Sequence, residues 1–188
     1  YRGQFNDYLK SARNSTKLQK IMGLSEPHNR FVDSELILRS IAFSTQFDQK
    51  TKTIPGYTGK MKGFLNWFMN KNKNCSDDSI KKYDTQFKKS LDSSFIVFGE
   101  KAFRKIDSKS LVADRLLNRA IFDSIMVGFS KYDPIIIEKH KQEIRNLFIS
   151  LPDQDSKFSD AITYGTSDKT KVEYRLKKWC DELEKIMH

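Results

Sequence analysis

The sequence predicts an all-α protein, an irregular multi-helix bundle of eight or nine helices, and three observations carry that expectation. Apolar residues recur every three or four positions, as in Ile80, Tyr83, Phe87, Leu91, Phe95 and Phe98, a spacing that lines one face of a helix. Gly and Pro number only 8 and 4 in 188 residues, too few for the closely spaced turns of a β-sandwich. The chain is 38% hydrophobic and contains 14 Phe, ample for a packed core at this length.

The elements follow in order. Phe5, Tyr8, Leu9 and Ala12 stand at i, i+3, i+4 and i+7 of a first helix, whose apolar face requires a partner. The chain opens at Tyr1 with neither an initiator Met nor a leader, so this stretch reads as the interior of a larger protein and its face as a junction with another domain. Leu18, Ile21 and Met22 mark a second helix that stops at Gly23, a residue that tolerates positive φ. Residues 25–29 form a loop. Asp33 or Ser34 then caps a helix over 35–43, apolar on nearly every face and so placed at the bundle centre. A turn-rich loop over 54–59 precedes a helix over 61–70 that carries Met61, Phe64, Leu65, Phe68 and Met69.

Asp77 and Asp78 put negative charge in the first turn of a long helix that Gly99 ends. Residues 99–110 lack a helical period and include a short extended piece; they join an N-terminal sub-bundle, 1–98, to a C-terminal one, 111–188. Leu117, Ala120, Ile121, Ser124, Ile125 and Gly128 build a helix whose small residues allow a neighbour to approach closely. Asp133-Pro134 starts a helix bearing Ile137, His140, Ile144, Leu147, Phe148 and Leu151. Phe158, Ala161 and Ile162 give a short helix. Thr166-Ser167 opens the last, along which Val172, Leu176, Trp179, Leu183 and Ile186 recur.

Charge is unevenly spread. Residues 1–75 carry 13 Lys and Arg against 5 Asp and Glu, a net of +8, whereas residues 76–188 carry 21 against 19, a net of +2. No acid occurs between Asp48 and Asp77, where Lys50, Lys52, Lys60, Lys62, Lys71 and Lys73 lie beside Tyr57, Phe64, Trp67 and Phe68. Lysines neutralise phosphates and flat rings stack on bases, so Lys50, Lys52, Lys60, Lys62, Trp67, Lys71 and Lys73 are candidate nucleic-acid ligands. A solvated basic surface over core aromatics is the other account of the same residues.

Glu35 and Arg39 are one helical turn apart, with the acid nearer the N-terminus, and Arg30 lies just upstream. These three form either an ion pair that organises a helix junction or a site in which an arginine faces a phosphate. Catalytic and metal-binding patterns are absent from the sequence. His28, His140 and His188 match no HExxH motif, and neither GxxxxGK[ST] nor GxGxxG occurs. Cys75 and Cys180 lack CxxC spacing and read as thiols of a reducing, cytoplasmic compartment. No run approaches the about 18 apolar residues of a membrane span.

Several segments together resemble a known family. Residues 1–9, 30–39, Tyr57-Thr58-Gly59, 64–69, Asn118-Arg119-Ala120-Ile121-Phe122-Asp123-Ser124, 158–162 with Thr166-Ser167, and 175–179 are similar, in this order, to blocks of GmrSD-like bacterial restriction proteins, in their GmrS-type part. The resemblance implies a role in defence against foreign DNA, with the chain as a helical, non-catalytic portion. It also implies a nucleotide-hydrolysing domain bearing an Asp-Gly-Gln-Gln-Arg motif upstream of Tyr1. That motif is not in this sequence, so neither the nucleotide nor the divalent metal of such a parent protein has ligands assigned here. The alternative is a purely structural protein–protein interaction module that binds no nucleic acid.

Overall fold

Residues 2–28 and 30–188 are described by a computed structural model. Tyr1, in the first block of the resemblance, and Asn29, in the predicted loop, lie outside the described residues. The protein is all-α. Its helices are α1 (Gln4–Ala12), α2 (Thr16–Met22), α3 (Val32–Gln46), α4 (Met61–Asn72), α5 (Asp77–Phe98), α6 (Arg119–Phe129), α7 (Pro134–Lys139), α8 (Lys141–Gln154), α9 (Ser156–Thr163) and α10 (Lys169–Met187), with one 3-10 turn at Gly99–Lys101.

Ten helices therefore stand, among the described residues, where eight or nine were expected, because the helix begun at Asp133-Pro134 is two. His140, at φ −104° and ψ 12°, leaves the helical region between α7 and α8. α7 lies along α5, whereas α8 packs against α9, α5 and α10. Ile137 and Ile144, one on each side of the break, are both fully buried. Their separation of seven residues, two helical turns, suits a straight helix as well as this broken one, so spacing alone hides the corner.

Local signals act as expected at several ends. Gly23 closes α2 in the left-handed conformation, and Asp77 and Asp78 lie in the first turn of α5, where the Ser76 hydroxyl, not singled out from the sequence, accepts from the Ser79 N–H. Two caps differ. The residue before α3 is Phe31, at φ 56°, and Asp33 lies inside the first turn. Its buried carboxylate is taken by the Arg13 Nε at 3.1 Å and the His28 N–H at 2.8 Å, tying α3 to the preceding loops. The cap of α10 is Asp168, which accepts from the N–H groups of Thr170 and Lys171; a carboxylate both caps and offsets the positive helix end.

The buried apolar residues form one cluster running from Phe5 to Leu183. At its centre is α6, where every residue from Ala120 to Phe129 is buried. It packs against α3 and α5 on the N-terminal side of residues 99–110 and against α9 and α10 on the other. Those junction residues hold the 3-10 turn and part of an isolated antiparallel bridge, Ile106 to Ala113. Small residues of α6 admit α10 as predicted: a Cβ at Gly128 would stand 2.4 Å from Trp179 Nε1.

One expectation about the first helix is overturned. Phe5 and Leu9 are buried at 0% and 5% exposure, with Phe5 edge-on to Phe68 and Tyr83 at ring separations of 5.9 and 5.7 Å. The face is covered by α3, α4 and α5, so the partner it requires lies within the chain. Gly3 permits this docking, since its φ is 119° and an added Cβ would meet the Lys73 carbonyl at 2.4 Å.

Candidate functional site

Two features carry unexplained charge, and both grow from α3 and α4. Arg39 sits on α3 with its side chain 7% exposed, facing the fully buried Asp123 of α6. Its Nε donates to Asp123 Oδ1 at 3.0 Å and its Nη2 to Oδ2 at 2.6 Å, the bidentate geometry that suits guanidinium and carboxylate. Arg175 of α10, also fully buried, donates from Nη2 to the same Oδ2 at 3.0 Å. Its Nη1 donates to the Thr166 carbonyl at 2.7 Å and to that of Ala161 at 3.4 Å. The Tyr57 hydroxyl, beside this cluster, donates to the Ser167 carbonyl at 2.6 Å.

Burial and charge oppose each other here. Desolvation works to lower the pKa of Arg39, but Asp123, with Glu35 behind it, outweighs this and raises it. At Arg175 desolvation wins: two cations share one carboxylate, and its pKa is lowered. Asp123 thus links three helices, and its oxygens are occupied by protein donors. The arrangement organises the core and leaves Arg39 Nη1 as the guanidinium edge that Asp123 does not engage.

Of the sequence-predicted trio, Glu35 and Arg39 come together and Arg30 does not join them. Glu35 Oε1 is 3.8 Å from Arg39 Nη1 and 3.9 Å from the Nε of Arg119. Arg119, at the start of α6, occupies the place assigned to Arg30. Arg30 is exposed in the loop before α3, where its N–H donates to His28 Nδ1.

The second feature is α4. Phe64, Leu65, Phe68 and Met69 are buried, as is Tyr57 in the loop before them, so these aromatics belong to the core. Lys62, Gly63, Trp67, Asn70 and Lys71 are exposed and Asn66 half-buried on the opposite arc, with exposed Lys60 and Lys73 at the helix ends. Trp67 is 42% exposed, stacked on Phe64 and covered by the Lys71 ammonium 5.1 Å from its ring centre. Among the described residues, Lys50, Lys60, Lys62, Lys71 and Lys73 form no ion pair, whereas Lys52 is held by Asp181 and Glu184 of α10 at 3.4 and 3.6 Å. Lys52 is thereby drawn away from the set.

No family model matches this chain, and neither a curated protein nor a solved structure does. The site must speak for itself. Among the described residues no group of three or more His, Cys, Asp or Glu side chains gathers as metal ligands would, and no helix is long and apolar enough to cross a membrane. Both cysteines are free thiols, and burial pushes that of Cys180 up to about 11.

Asp123, Arg175 and Arg119 escaped the sequence-based assignment of the site, yet two left a trace. Arg175 falls on the stripe of Val172, Leu176 and Trp179, and Asp123 interrupts the apolar run of α6. A charge on a core face is a signal in itself, because it must find a counter-ion. The segments quoted for the resemblance supply Arg39, Tyr57, Asp123, Thr166, Ser167 and Arg175, which the fold brings to one place.

Proposed function

We propose that this chain is the helical, non-catalytic portion of a GmrSD-like restriction or antiphage protein and that it contacts DNA through the exposed face of α4. The observation that carries the DNA contact is this face's composition. Along a helix about 18 Å long, it offers Lys62, Asn66, Trp67, Asn70 and Lys71, flanked by Lys60 and Lys73 and without an acid. Lysines at both ends bind phosphates, while amides and an indole face the strand between them. The GmrSD-like context rests on the ordered sequence blocks, and the meeting of residues from five of them around Asp123 supports treating those five as one unit. In that context the fold supports a nucleotide-hydrolysing domain, to which nucleotide and divalent metal belong.

The test is DNA affinity measured against salt concentration. Wild-type protein is expected to bind at micromolar order, without sequence preference. The Lys60→Glu/Lys62→Glu/Lys71→Glu/Lys73→Glu variant should bind far more weakly, with its salt slope reduced by about 4, one for each phosphate no longer neutralised. Equal affinity and slope for the two proteins would rule the interface out. A second reading, a protein–protein interaction module, is favoured by Leu111, Val112 and Leu116, exposed at 62%, 65% and 77% in one loop.

A further inference from the structure

Beside the α4 face, between α1, α3 and α4, lies an open groove of about 730 Å³. That volume is in the range of small-molecule sites, and the groove's chemistry is divided. Leu9, Leu38, Leu65 and Met69 supply an apolar floor. Lys10, Lys62, Arg39 and Arg119 bring four cations to it from four different helices.

One acid, Glu35, lines the groove against these four. Its distances of 3.8 and 3.9 Å to Arg39 and Arg119 exceed hydrogen-bond length, so both guanidinium groups keep donors in reserve. The further contact of Lys10 with Asp7, at 3.4 Å, joins side chains more than half exposed and is screened by solvent. Donors therefore outnumber acceptors around a floor that suits a flat apolar body.

We infer that this groove binds one nucleotide, its base on the Leu9, Leu38, Leu65 and Met69 floor and its phosphate at Lys10, Lys62 and Arg119. A bare anion would leave the floor uncovered; an uncharged ring would leave the cations unmatched. Two sources share this chemistry: a free mononucleotide, and an unpaired nucleotide of a strand lying along α4, since Lys62 and Asn66 belong to both surfaces.

The test titrates the full chain with AMP, adenosine, inorganic phosphate, a short single-stranded oligonucleotide and a blunt duplex, following binding by calorimetry. AMP or the single strand should bind at least about tenfold more tightly than adenosine or phosphate alone. Arg119→Glu should weaken that binding by about tenfold or more, and Lys10→Glu should do likewise; both positions lie at the exposed rim, and circular dichroism checks the fold. Preference for AMP assigns the site to a free ligand, whereas preference for the single strand assigns it to a strand. The inference is overturned if neither AMP nor the single strand binds, if phosphate alone binds as tightly, or if both variants bind like wild type. Duplex affinity that depends on Lys71 and Lys73 but not on Arg119 and Lys10 would sustain the α4 interface separately, so the two ideas fail independently.

Discussion

Replacing Asp123 by Asn is the sharpest probe of the core. Asn keeps the size and one carbonyl acceptor but removes the charge that balances Arg39 and Arg175, whose side chains are 7% and 0% exposed. Its amide also directs an N–H toward one of the two guanidinium groups, where the native oxygen accepts. Breaking a buried pair by removing one partner costs about 3–5 kcal/mol, a large share of the about 5–15 kcal/mol that holds a typical domain together. At about 2–4 °C per kcal/mol for a protein of this size, the melting temperature should fall by about 6–20 °C. Arg39→Met should cost less, because Asp123 then retains Arg175 and Glu35 retains Arg119. Urea unfolding followed by circular dichroism measures both. An Asp123→Asn protein within about 0.5 kcal/mol of wild type, or an Arg39→Met protein less stable than it, would show that the cluster is not held as described.

Further outcomes follow from packing and titration. Gly128→Ala should destabilise the protein by about 1–2 kcal/mol despite the better helix propensity of Ala, because its Cβ would lie 2.4 Å from Trp179 Nε1 and 2.6 Å from Trp179 Cδ1. Trp179 is wedged edge-to-face with Phe129 and Phe148; a Gly128→Ala protein as stable as wild type in urea would mean that the indole moves freely. Burial works to raise the pKa of Asp155, but the Phe158 N–H, the Tyr174 hydroxyl and Lys178 outweigh it and hold the carboxyl below its ordinary value. A carboxyl depressed on folding stabilises at pH above the unfolded value of about 3.9 and loses that contribution as pH falls through the folded value. Asp155→Asn, which keeps the helix cap, should therefore cost about 1 kcal/mol at pH 7, with the difference from wild type shrinking as pH falls below the unfolded value and through the lower folded one. A difference independent of pH would exclude the charge as its cause.

How much was legible beforehand depended on the range of the interaction. Helices and several of their ends follow from local chemistry, and Gly23, the Asp77-Asp78 start and the Phe64, Leu65, Phe68, Met69 stripe stand where local signals place them. The corner at His140 was not legible, because Ile137 and Ile144 keep their period across it and tertiary packing sets the turn. Arg39 was recognisable as a charge in need of a partner, but the local pattern supplied Glu35 and Arg30, whereas its buried partner, Asp123, lies 84 residues away. The basic stretch between Asp48 and Asp77 was plain; that Lys52 is neutralised by α10 was not, since Asp181 and Glu184 are distant in sequence.

The cluster at Asp123 also bears on how the chain divides. Arg39 belongs to the half before residues 99–110, while Asp123 and Arg175 belong to the half after it. Severed there, the first half would hold a core guanidinium without its carboxylate, and the second an aspartate with one counter-ion in place of two. Neither half is electrostatically complete, and α6 would lose its cover from α3 and α5. The sub-bundles on either side of residues 99–110 thus share one ion cluster, and the molecule can acquire its charge-balanced interior only after both have been synthesised.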